Sequence, residues 1–85
     1  EMQVTNRDNL PLRIRFYGSM IDTKMLGKNE PYSHLKERYV IMICPFDLYK
    51  QGRHFYRFQD REEKDHDLLM GDMTTKIVLN AAGTD

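Results

Sequence analysis

Tyr39-Val40-Ile41-Met42-Ile43-Cys44 is an unbroken apolar run closed by Pro45, and it constrains the fold of this 85-residue chain more than any other stretch. Six residues are too few for a buried helix, and the β-branched side chains favour a pleated backbone. The run therefore reads as a strand buried on both faces, the kind that lies inside a sheet flanked by helices. Pro45 has no N–H to give to a ladder, so pairing stops there. A chain this short makes one domain and buries only about 60–65% of its unfolded surface, so this strand has to be central.

One helix precedes it. Leu10, Ile14, Tyr17, Ile21 and Met25 recur at steps of four, three, four and four, which makes one continuous helical stripe. Phe16 and Met20 widen the apolar arc, while Arg13 and Arg15 lie off it. The punctuation agrees: Asp8 or Asn9 as N-cap, Pro11 in the first turn, Gly27 just past the end. Ahead of the helix, residues 1–5 fit a short strand ending in the polar cluster Thr5-Asn6-Arg7-Asp8. Residues 27–37 read as a loop with one helical turn after Ser33.

The second half has more β character. Residues 54–59, HFYRFQ, read as a strand, and Asp60 to Asp67 as a charged, solvated loop. Leu68–Met70, then Gly71-Asp72, then Thr74–Asn80 read as a β-hairpin in which Ile77 and Leu79 share one face. The expected fold is α/β or α+β: a mixed sheet with one long helix across it, the apolar run central and the C-terminal hairpin extending the sheet.

Charge and cysteine content exclude several function classes. Thirteen basic residues balance thirteen acidic ones, so no global field draws the chain to nucleic acid or anionic lipid, although a local patch can still do so. One cysteine rules out an internal disulfide and fits a reducing, cytoplasmic setting. No apolar run approaches the length of a membrane span. Cys44, inside the apolar run with no base beside it, reads as a buried inert thiol. His34, His54 and His66 lack close metal-ligand spacing.

The candidate chemistry begins at Glu1-x-Gln3. On a strand, residues i and i+2 project to one face, so the carboxylate and the amide stand together. A carboxylate beside a polar residue, on a strand that feeds a helix, is a layout used for divalent-metal hydrolysis of phosphodiesters. By spacing alone the pair reads more readily as two solvated residues of an edge strand. Arg7, Arg13 and Arg15 offer a phosphate-binding face near the strand-to-helix corner, or simply a solvated helix face. The pairs Phe16-Tyr17 and Phe55-Tyr56 fit core packing better than base stacking.

Taken in order, EMQ, D-x-LP, R-x-R-F-Y-x-S-M-I-D, YVIMIC, FDLYKQGRHFYRF and LLMGDMTTKIVLNAAGT span nearly all of the chain. Together they resemble the transposase-associated branch of the PD-(D/E)XK nucleases, related to the recombination-promoting nucleases. The resemblance implies a restriction-endonuclease-like core in which a hairpin strand carries an Asp, the next strand carries (D/E)-x-(K/Q), and a helix and a buried strand follow. It makes Glu1 the second catalytic acid and Gln3 its catalytic partner, with Glu1 and the carbonyl of Met2 as Mg²⁺ ligands. It also makes Arg13 and Tyr17 supports of the site or of a DNA phosphate, with Arg15 beside them. Residues 1–45 would then be a partial nuclease core and 46–85 its β extension.

Some positions depart from the family pattern. The first catalytic Asp of the family lies on a strand ahead of the glutamate, and this sequence begins at Glu1. Gly18 stands where glutamine is common, Pro45 where an acid is common, and Met73 where glycine is frequent. The expectation is a fragment of a Mg²⁺-dependent DNA endonuclease, inactive by itself because one carboxylate and one amide hold Mg²⁺ poorly. The alternative is a non-catalytic interaction or assembly module with a nuclease-like frame. Either way, an open sheet edge and an exposed apolar helix flank invite a homodimer.

Overall fold

In a computed structural model the apolar run lies within strand β2, Arg38–Cys44. The structure describes residues 2–4 and 9–85, with Met2–Val4 described through the backbone alone. Chain order is β1 (Met2–Val4), α1 (Leu10–Met25), a 3₁₀ turn (Tyr32–His34), β2, β3 (Phe55–Phe58) and β4 (Thr74–Asn80). The four strands form one sheet in the order β1-β2-β4-β3. β1 and β4 both run parallel to β2, and β3 runs antiparallel to β4. The fold is thus mixed α+β, with β2 interior to the sheet as its sequence requires.

Helix α1 connects the parallel pair β1 and β2, the connection that parallel strands need. It buries Leu10 and Ile14 completely, and half-buries Tyr17 and Ile21, against Val40, Met42 and Cys44 of β2, Tyr56 of β3 and Val78 of β4. Burying side chains of this size contributes about 1.5–3 kcal/mol each. Residues two apart on each strand make this one face, because Met42 is level with Val78 and Val78 with Tyr56. Phe16 and Met20 do not extend the buried arc: they lie with Leu12 on the outward side of α1 and are exposed.

The expectation that β2 is buried on both faces needs correction. Val40, Met42 and Cys44, beneath α1, are buried, but Ile41 and Ile43 on the opposite face are only half-buried and Tyr39 is exposed. Ile41 and Ile43 are level with Ile77 and Leu79 of β4, so the pair expected on one face of β4 lies on this second face.

The expected hairpin is also re-drawn. β4 pairs with β3, across residues 59–73, instead of with Leu68–Met70. Leu69 bridges Arg61, and Glu62 N–H to Leu68 O and Met70 N–H to Asp60 O close a small ladder inside what reads by composition as a charged loop. Gly71, at φ +83°, and Met73, at φ +57°, turn the chain out of that ladder into β4. Met73 O then accepts the Arg38 N–H at 2.8 Å, which places β4 beside β2.

The helix ends differ from expectation. Asn9 is left-handed, at φ 57°, and makes no side-chain cap, although its carbonyl accepts the Arg13 N–H at 2.9 Å; Asp8 lies outside the described residues. At the other end Leu26 leaves in extended conformation, so no glycine stop forms, and Gly27 N–H is satisfied by Glu30 Oε1 at 3.1 Å.

Two buried polar residues are hydrogen-bonded. Asn80 donates to Arg53 O at 2.8 Å and accepts from Ala82 N–H at 2.9 Å, and Thr75 accepts from Gln59 Nε2 at 3.2 Å. Among the described residues no helix is long and apolar enough to cross a membrane.

Candidate functional site

The corner where β1 leads toward α1 is where sequence reasoning places the chemistry. Met2, Gln3 and Val4 are in a strand, level with Ile41, Met42 and Ile43 of β2. Gln3 thus takes the position beside Met42, which is wholly buried under α1. Glu1 and Arg7 lie outside the described residues, and so does the side-chain relation of Glu1 to Gln3.

The phosphate candidates on α1 divide into two groups. Arg13 and Arg15, two positions apart, are separated by about 200° around the helix axis. Arg13 goes with Tyr17, one turn on, donating from Nη2 to the Tyr17 hydroxyl at 3.5 Å. Arg15 goes with Pro11 on the other flank, which faces β3 and β4. Since β1 lies on the opposite side of β2 from β4, Arg13 and Tyr17 occupy the flank turned toward β1.

Beside Arg15 the fold opens a cleft of about 390 Å³, lined by Tyr49, Phe58, Gln59, Asp60 and Lys76 among others. Its wall is aromatic: the Tyr49 ring lies 5.2 Å from Phe58 and 5.1 Å from Tyr56, tilted in both cases. Asp47 fixes that wall from behind. Its carboxylate accepts from Lys50 N–H at 2.9 Å, Gly52 N–H at 2.8 Å and the Tyr56 hydroxyl at 3.0 Å. The turn places Lys50 and Gly52 at φ +58° and +75°. Loss of solvent works against the Asp47 charge, but the Gly52, Tyr56 and Lys50 donors outweigh it and hold the carboxyl below the usual range. Burial, with Cys44 and Tyr56 nearby, pushes the Tyr49 hydroxyl up.

Sequence reasoning singled out neither Tyr49 nor Lys76. Lys76 carried a signal, as a lone charge within TTKIVLN, whereas Tyr49 is placed by a loop whose geometry only the Asp47 bonds reveal.

The remaining reactive groups are accounted for locally. Cys44 is buried, and that burial pushes its thiol up, so it is inert as expected. His34 pairs with Glu30 at 3.1 Å and His54 with Asp85 at 2.7 Å. Among the described residues no three His, Cys, Asp or Glu side chains are grouped to hold a metal ion. Comparison with protein-family models, curated proteins and solved structures gives no match for this chain.

Proposed function

We propose that the chain is part of a Mg²⁺-dependent DNA endonuclease of the PD-(D/E)XK kind, associated with transposition or recombination, and that these 85 residues are inactive by themselves. The observation that carries this is the β1–α1–β2 unit. The strand Met2–Val4, which carries Gln3, runs parallel to the interior strand β2 through a helix that turns Arg13 and Tyr17 to the β1 side. The order and spacing of the sequence segments that resemble this family support it further.

In such an enzyme Gln3 orients the attacking water or the scissile phosphate, and Arg13 contacts a phosphate oxygen through its planar donors. The cation supplies charge to the reacting oxygens when bound. The donors at hand do not amount to a site for it. Glu1, the Met2 carbonyl and Gln3 offer one carboxylate, whereas Mg²⁺ takes octahedral oxygen ligands and releases water reluctantly. A second carboxylate from a strand ahead of Glu1 is therefore part of the proposal, and cytoplasmic DNA is the partner.

Plasmid nicking tests it. The protein joined to a preceding strand that bears an Asp nicks DNA in Mg²⁺, and both EDTA and Glu1→Ala abolish the activity, while residues 1–85 alone leave plasmid intact. Mg²⁺-dependent nicking by residues 1–85 alone that Glu1→Ala abolishes contradicts their proposed inactivity, and nicking that persists in Glu1→Ala contradicts the proposed site. If no acid precedes Glu1 at hairpin distance, the non-catalytic assembly module is favoured instead.

A further inference from the structure

We propose that the cleft between α1 and the β3–β4 pair binds a single unpaired nucleotide, with the base against Phe58 and Tyr49 and the phosphate on Arg15 and Lys76. The choice of a nucleotide over other aromatic anions rests on the nuclease proposal above. The site itself rests on separate observations.

The volume, about 390 Å³, lies in the range of small-ligand sites, roughly 300–1,000 Å³, and suits one nucleotide. The wall offers π-faces already fixed in place. Phe58 is 39% exposed, and behind it Tyr49 is wedged between Phe58 and Tyr56. Successive aromatic faces beside cations are the means by which proteins hold single strands without regard to sequence.

The cations are available. Among the described residues neither Arg15 nor Lys76 is in an ion pair, although Asp60 lines the same cleft. Arg15 reaches the cleft from α1 and Lys76 from β4, where it is level with Phe58. A phosphate held between them keeps its base within reach of that ring. Gln59 and Asp60 add amide and carboxylate groups for the polar edge of the base. Helix α1 separates this cleft from the Arg13–Tyr17 flank, so a strand whose phosphate sits near β1 would place a neighbouring nucleotide here only by leaving the duplex stack, as base-extruding enzymes require.

The test is an amide NMR titration of the protein with dTMP, dAMP and deoxyribose 5-phosphate. The expected result is saturable shifts at Arg15, Phe58, Gln59 and Lys76 with both nucleotides, and affinity for them at least about fivefold above that for the sugar phosphate, the size of one base stack. Phe58→Leu, which keeps an apolar side chain, brings that ratio to about one, and Arg15→Gln weakens all three ligands alike. Equal response to nucleotide and sugar phosphate, or shifts confined to other residues, overturns the proposal. The plasmid assay reads the nuclease proposal separately: nicking without base-dependent shifts removes only this pocket, and base-dependent shifts without nicking sustain the pocket and remove the endonuclease.

Discussion

The guanidinium of Arg38 lies directly against Gly18: a methyl group at position 18 would come within 2.8 Å of Arg38 Cζ. Arg38 is 11% exposed at its side chain and donates from Nη1 to Asp22 Oδ2 at 2.6 Å, while its buried Nε has no partner among the described residues. Gly18 is therefore the gap in α1 that admits a charged side chain from the start of β2, and Asp22, one turn on, receives it.

Gly18→Ala should consequently fail to stabilise the protein. Alanine normally gains about 1 kcal/mol over glycine in a helix interior, but here it displaces the Arg38 guanidinium from Asp22. In an Arg38→Met background the full gain should return. Urea denaturation of the two single variants and the double variant measures this, with a coupling of roughly 0.5–3 kcal/mol expected for residues in contact. Strict additivity would contradict the contact.

The two faces of β2 should respond differently to truncation. Met42→Ala, at a wholly buried position beneath α1, should cost about 2–5 kcal/mol. Ile43→Ala, half-buried on the other face, should cost below about 2 kcal/mol by lost burial alone. Denaturant midpoints at constant slope read both, and equal losses would mean that the second face is as well covered as the first.

Much of this architecture is legible in the residues, wherever the determinants are local or periodic. The stripe from Leu10 to Met25 gives α1, and the apolar run ending at Pro45 gives an interior β2. The partner of β4 is not legible, because Leu68–Met70 beside Gly71-Asp72 carries the sequence signal of a hairpin strand, while the true partner is the more distant Phe55–Phe58. Nor is the division of Arg13 from Arg15 visible until α1 is set between β1 and β4. At the candidate site, the strand character of Met2–Val4 follows from sequence, whereas the cleft depends on a loop pinned by Asp47.

That loop sets an acid sensitivity. The Asp85 carboxyl is held low by the His54 backbone N–H and then by the His54 ring, and Asp47 is held low as described. Both folded carboxyls titrate below the unfolded value of about 3.9, so their stabilisation is complete above that pH and is lost as pH falls through the folded values. Thermal unfolding should show Tm declining below about pH 4. Asp47→Asn, which keeps one of two acceptor oxygens, should lower Tm at neutral pH and flatten the acid decline. An unchanged acid profile in that variant would contradict the role of Asp47.

The outer strands β1 and β3 each have one unpaired edge within the described residues, and α1 exposes Leu12, Phe16 and Met20. Such features favour pairing with a second copy. Light scattering should give a dimer mass for residues 1–85, and a monomer mass at high concentration would count against it.

The β1 corner is the hydrolytic site of the function proposed above, with Gln3 as the group that positions water or phosphate there. The most direct measurement of this is the plasmid-nicking rate of Gln3→Ala, in the protein joined to a preceding strand that bears an Asp, at saturating DNA and Mg²⁺. A fall of at least about 10²-fold, with DNA affinity kept, is the predicted result, the size expected for one positioned group at a reacting centre. An unchanged rate would contradict the claim.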